Sequence, residues 1–73
     1  MIGERLNHLR GEKRLSLDSV VQEMNEKYSL SLHKGMLSKW ERGIDKPSLR
    51  YVAYLAQYYG VSIDYLAGLT DLR

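Results

Sequence analysis

Residues 33–43, His-Lys-Gly-Met-Leu-Ser-Lys-Trp-Glu-Arg-Gly, divide into two faces when wound at about 100° per residue. Met36, Leu37 and Trp40 fall on one apolar arc. Lys34, Gly35, Ser38, Lys39 and Arg42 fall on the other. Such a helix seats one side in a small core and turns cations, a hydroxyl and a bare patch of backbone outward. Gly43 supplies a stop. An outward face of this kind suits an anionic, grooved partner, and the major groove of duplex DNA has both properties.

The rest of the chain is also patterned for helices. Phe is absent and Pro occurs once. Ile2, Leu6 and Leu9 recur at i, i+4 and i+7, which predicts a helix over about 2–13. Ser16 is a good N-cap, with Leu15 before it placed to staple against Val20. A second helix over 17–28 carries Leu17, Val20, Val21, Met24 and Tyr28 on one stripe. Ser29 to Leu32 breaks the period and reads as a loop or a short extended piece. The third helix spans 33–42, capped by His33 or Ser31, and a turn runs from Gly43 to Pro47. Ser48 caps a fourth helix over 49–59 whose core face reads as Leu49, Val52, Ala53, Ala56 and Tyr59, with Gly60 closing it. Ser62 caps a short fifth helix over 63–67, with Ile63 and Leu66 turned inward. Five short helices with tight connections predict a compact all-α domain.

Seventy-three residues make one domain with a modest core. With no cysteine, neither a disulfide framework nor a thiolate metal site is available. His8 and His33 are isolated, so no metal and no cofactor is expected. No apolar run approaches a signal peptide or membrane span, which points to the cytoplasm and away from a membrane partner. Enzyme chemistry fails on inventory: Asp64 and Asp71 stand alone, and no Gly-rich phosphate loop follows a strand.

The net charge of +2 is uninformative, but its distribution is not. His33 to Arg50 holds Lys34, Lys39, Arg42, Lys46 and Arg50 against Glu41 and Asp45. Tyr51 to Leu72 holds Asp64 and Asp71 and no cation. The positive charge therefore sits on and just after the two-faced helix, as phosphate contacts require. On charge alone, an ordinary solvated surface is the competing reading.

Five patches resemble the lambda-repressor-like helix-turn-helix family, the Cro/repressor or XRE group. They are Ile2-Gly-Glu-Arg-Leu6 with Leu9-Arg10, Leu15-Ser16, Leu37-Ser-Lys-Trp-Glu-Arg-Gly43, Lys46-Pro-Ser-Leu49 and Gly60-Val-Ser-Ile-Asp-Tyr-Leu66. They run in family order over nearly the whole chain. The resemblance implies a five-helix DNA-binding domain whose third helix enters the major groove. It also implies an ion pair between Glu41 and Arg10 that fixes the angle of that helix. The chain departs from the family in three places. Leu17 stands where the family usually has a polar, phosphate-touching residue. Asn25 to Leu32 replaces a short Gly turn, as in phage-type repressors of Gram-positive bacteria. Gly35 stands where the family often has a base-reading side chain. Glycine there costs about 1 kcal/mol against alanine, which suits a site that a DNA backbone or thymine methyl approaches closely; the competing reading is a glycine that merely tolerates the turn.

On this resemblance Lys34, Gly35, Ser38 and Lys39 are the base-reading candidates, the lysines through guanine O6 and N7. The competing reading for the lysines is a solvated charge or a phosphate contact without sequence information. Arg42, Lys46, Ser48 and Arg50 are the phosphate candidates, with the amides of the fourth helix's N-terminus beside them. Lys27 and Tyr28 either reach the phosphate backbone or merely close the second helix. Tyr51, Tyr54 and Tyr58 lie opposite the assigned core stripe of the fourth helix, with Leu55 at the edge, and Tyr65 joins them. They form either a dimer or partner face or ordinary surface packing.

The resulting expectation is a sequence-specific binder of double-stranded operator DNA. It would be a transcriptional repressor of phage, prophage or mobile-element type, homodimeric on DNA and acting at the nucleoid of a bacterial cell. The alternative is an antitoxin or adaptor module working through protein contacts. A further C-terminal domain is left open.

Overall fold

The computed structural model describes residues 2–73, and among them five helices follow one another without a strand. They are α1 (Ile2–Glu12), α2 (Leu17–Tyr28), α3 (Lys34–Glu41), α4 (Leu49–Tyr59) and α5 (Ile63–Leu66). Local chemistry sets most of these ends. Ser16 takes extended backbone angles and its hydroxyl accepts from the Ser19 amide at 3.0 Å. Ser62 does the same for Tyr65 at 2.9 Å. Gly60 closes α4 at φ 70° and Gly43 follows α3 at φ 73°, both in the left-handed region that glycine enters without penalty. α1 stops one residue before its expected end because the chain turns left-handed at Arg14 (φ 54°), where the Leu15 amide donates to the Arg10 carbonyl at 3.2 Å.

α2 keeps its full expected length and is closed by Ser29, also left-handed at φ 54°. The loop that follows is held by one side chain. Asn25 donates from Nδ2 to the Leu32 carbonyl at 3.1 Å and accepts from the Leu32 amide at 2.8 Å. This two-way bond imitates a peptide pair and sinks Leu32 into the core at 3% exposure. The segment from Asn25 to Leu32 is therefore an ordered crossover.

α3 rests on α1 and α2, while α4 rests on α2 and α5, and α1 also meets α5. Between them lie Leu6, Leu9, Val20, Met24, Leu32, Leu37, Trp40, Val52, Leu55, Ala56, Tyr59, Tyr65 and Leu66. The chain's last residues are strapped across α1. Arg5 donates to the carbonyls of Tyr65 and Thr70 and to the Asp71 carboxylate, while Arg73 forms a double hydrogen bond with Glu12. No helix among the described residues is long and apolar enough to cross a membrane.

The structure corrects the sequence reading of α4 and α5. The buried face of α4 is Val52, Leu55, Ala56 and Tyr59; Leu49 is 74% exposed and Ala53 is exposed. Arg50 and Gln57, seven residues apart, share one stripe, and the core face lies roughly 180° from it. Apolar side chains almost encircle this helix, so periodicity alone pointed in two directions. On α5, Ile63 faces outward at 41% exposure and Tyr65 takes the inward position.

Tyr51, Tyr54 and Tyr58 are half-buried, and each ring also packs within the fold. They occupy the flank of α4 between its polar stripe and its core stripe. Tyr51 meets the Trp40 ring at 5.5 Å between centroids, and Tyr54 meets Tyr28 at 4.9 Å. Tyr58 donates its hydroxyl to Glu23 at 2.5 Å and sets its ring edge-on to Tyr59. Tyr65 is buried, with the Arg5 guanidinium 4.3 Å from its ring centre. These contacts hold α4 to α2 and α3, and α5 to α1.

Candidate nucleic-acid interface

α3 is anchored from within by Leu37 and Trp40, 3% and 4% exposed, with Met36 half-buried beside them. A helix tied down along one stripe must present the other. Lys34, Gly35, Lys39 and Arg42 are exposed and Ser38 is half-exposed, so the structure gathers all five on one outward face. Lys34 sits in the first turn, and its ammonium lies 3.9 Å from the carboxylate of Asp18, in the first turn of α2. Arg42, the C-cap, leans back to donate from Nε to the Ser38 carbonyl at 3.4 Å.

Gly35 has no internal reason to be glycine. A Cβ built there meets nothing within 4 Å, and its backbone is not left-handed. Its outer surface is bare helix backbone, flanked by Lys34 and Ser38 on the same face.

Glu41 is an acid on a face otherwise fit for an anion, and the fold withdraws it. Arg10 donates from Nε to its Oε2 at 2.8 Å and from Nη2 to its Oε1 at 2.9 Å. Asn7 adds a bond to Oε1 at 2.9 Å. The remaining Arg10 nitrogen, Nη1, donates to the Leu15 carbonyl at 2.8 Å. The Glu41 side chain is only 8% exposed, so its charge is cancelled inside the α1–α3 contact. The hydrogen bond to Glu41 holds the Arg10 guanidinium pKa above its ordinary value, against the opposing effect of burial.

The loop after α3 folds back on its last turns, with the Ile44 and Asp45 amides donating to the Lys39 carbonyl at 3.0 and 3.3 Å. It carries exposed Lys46 into the start of α4. Ser48 has the extended backbone of an N-cap, yet its hydroxyl caps nothing. The first backbone bond of α4 is Val52 to the Ser48 carbonyl at 2.9 Å, so the amides of Leu49, Arg50 and Tyr51 precede the ladder. Uncapped amides between two cations make a local anion-binding arrangement. Arg50 is exposed, with its guanidinium 5.6 Å from the centre of the Tyr54 ring. Leu17 is half-buried against the core, so it offers no polar side chain at the position where the resemblance led one to expect a phosphate contact. Lys27 is exposed and leans over the Tyr28 ring at 5.7 Å, while the Tyr28 hydroxyl is buried without a hydrogen-bond partner.

Sequence reasoning missed Asp18, Asn7 and Gly3. Asn7 and Gly3 share a stripe of α1 with Arg10, which was a usable signal. Asp18 meets Lys34 across α2 and α3, a pairing no local pattern encodes.

A family model described as a helix-turn-helix domain matches residues 2–69. The chain is also similar to an uncharacterized HTH-type transcriptional regulator, YobD, of Bacillus subtilis (strain 168), with 31% identity over 71 residues. The aligned part is 97% of this chain and 58% of that relative's length. No solved structure matches.

Proposed function

Because the chain belongs to the helix-turn-helix domain family, we propose that it binds double-stranded DNA sequence-specifically and regulates transcription. The observation that carries this reading is the outward face of α3. It presents two lysines, a serine, an arginine and bare backbone at Gly35, and the one acid of that helix is withdrawn onto Arg10. Lys34, Ser38 and Lys39 would address base edges, with Gly35 admitting a close approach of the DNA. Arg42, Lys46, Ser48 and Arg50 would hold phosphates and set the register. A similar protein being named a transcriptional regulator supports the same reading.

The finer proposal is a repressor of phage or prophage type, acting at the nucleoid as a pair of copies on two half-sites. The motif resemblance supports the repressor type. The small surface that one such module buries on DNA supports pairing. The protein-interaction alternative draws on the α4 tyrosines, which are half-buried and whose rings already have partners within the fold.

Fluorescence anisotropy with the DNA upstream of its own gene and with a shuffled duplex tests the proposal. We expect a preference of about 10³ or more for a specific site. Arg42→Ala should weaken binding to all duplexes alike and lower the salt slope by about 0.9. Lys39→Ala should change base preference. If Lys39→Ala altered neither affinity nor preference on any duplex, base reading by that side chain would be wrong.

A further inference from the structure

We propose that Gly3 is a positioning residue for DNA reading, setting the depth and tilt at which α3 meets the groove; this rests on the DNA-reading role proposed above. Gly3, Asn7 and Arg10 are spaced i, i+4 and i+7 and form one narrow stripe of α1. All three meet the C-terminal end of α3. Arg10 and Asn7 hold the Glu41 carboxylate. At Gly3 the backbones themselves close in: a Cβ there would lie 2.5 Å from the Trp40 carbonyl oxygen and 2.8 Å from that of Glu41.

Both obstructing atoms are backbone of the reading helix, so no side chain can swing aside. A methyl at residue 3 must drive the end of α3 away by about 1 Å to reach ordinary contact. Asn7 and Arg10, one and two turns along, still hold Glu41. The displacement is therefore resolved as a tilt of α3 about those tethers. Base readout depends on geometry at this scale, because hydrogen bonds to base edges weaken steeply with distance and angle. Gly3 is not in a left-handed conformation. Closeness, not backbone freedom, is what excludes a side chain. Gly11 and Gly35, where an added Cβ meets nothing within 4 Å, show that not every helical glycine here is under this constraint.

Helix propensity alone has Gly3→Ala stabilising α1; the close approach has it displacing α3. The experiment is selection from a random duplex pool by the parent chain, followed by measurement of the selected site against its scrambled version. Gly3→Ala, Asn7→Ala and a destabilised control at the N-cap of α5, Ser62→Ala, are compared at a temperature where circular dichroism shows each folded. We expect Gly3→Ala to lose about tenfold or more in discrimination, the scale of one base contact. Its binding to the scrambled duplex and its salt slope should stay near the parent's, and Ser62→Ala should keep the parent's discrimination. Discrimination within twofold of the parent in folded Gly3→Ala overturns the inference. Should Gly3→Ala fail to fold, Asn7→Ala decides: a loss of threefold or more supports the inference, and no change overturns it. A parent that enriches no sequence sinks the DNA-reading proposal itself, and this inference with it.

Discussion

Arg10 grips both carboxylate oxygens of Glu41, at 2.8 and 2.9 Å, and so joins the end of α1 to the end of the outward-facing helix. The pair is asymmetric in exposure, with 21% of the Arg10 side chain and 8% of the Glu41 side chain reaching solvent. Removing one partner leaves the other charge largely desolvated, which costs more than the intact pair contributes. Glu41→Ala should therefore lower stability by about 2–4 kcal/mol, somewhat less than for a fully buried pair. Urea unfolding followed by circular dichroism measures it. A loss under about 0.5 kcal/mol would mean the pair behaves as a surface bridge.

Arg14 holds a left-handed backbone at φ 54° in an exposed turn. A side chain in that region costs roughly 1–2 kcal/mol that glycine does not incur, partly offset by the greater freedom of glycine when unfolded. Arg14→Gly should stabilise the domain by about 0.5–1 kcal/mol, or a few degrees in Tm. A lower Tm would refute this account of the α1–α2 turn.

Asn25 satisfies both backbone groups of Leu32 with one amide. Asn25→Ala removes two hydrogen bonds at a part-buried site and should cost about 1–3 kcal/mol. Hydrogen exchange at the Leu32 amide offers a local check: its protection should fall in the variant more than that of the α4 amides.

Glu12 receives both terminal nitrogens of Arg73, at 2.8 and 2.7 Å, with His8 Nε2 at 2.9 Å. The hydrogen bonds from Arg73 pull its pKa from the ordinary 4.5 to about 2. A carboxylate depressed in the folded state contributes stability above its unfolded pKa and loses it as pH falls through the folded one. The strap's contribution should thus be complete above pH 4.5 and fade toward pH 2. In a Tm-against-pH series, Glu12→Gln should flatten the acid limb in that window. Parallel curves for the two proteins would mean that solvent screens the pair.

Asp18 stands 3.9 Å from the Lys34 ammonium, with both side chains more than half exposed. Such a pair adds little to stability, but it places an anion beside a base-reading candidate. Asp18→Asn should leave Tm nearly unchanged and tighten DNA binding about two- to fivefold, and Lys34→Ala should abolish that gain. Equal gains with and without Lys34 would show that Asp18 acts only through general repulsion of DNA.

Much of the candidate interface was legible because it depends on one helix at a time. Lys34, Gly35, Ser38, Lys39 and Arg42 face outward because Met36, Leu37 and Trp40 must face inward. The expected Arg10–Glu41 pair came from a motif resemblance, and the structure supplies its geometry and the third partner, Asn7. The core face of α4 lies to one side of the stripe that periodicity suggests, because Arg50 and Gln57 are that helix's only strongly polar residues. A mostly apolar helix leaves two flanks for its neighbours to choose between, and α2 and α3 chose the tyrosine side by offering Tyr28 and Trp40 as ring partners.

The amino-acid sequence by itself determined where the helices start and stop and which side of α3 turns outward. Those outcomes depend on interactions within a turn or two: the hydroxyls of Ser16 and Ser62 on nearby amides, the left-handed glycines 43 and 60, and apolar spacing. Tertiary structure alone decided that Leu55 is buried and Leu49 is not, that Asn25 reaches across to Leu32, and that Gly3 lies against the carbonyls of Trp40 and Glu41. Each of these depends on what a residue meets across a gap between elements. The relative placement of helices sets that distance, and local chemistry does not encode it.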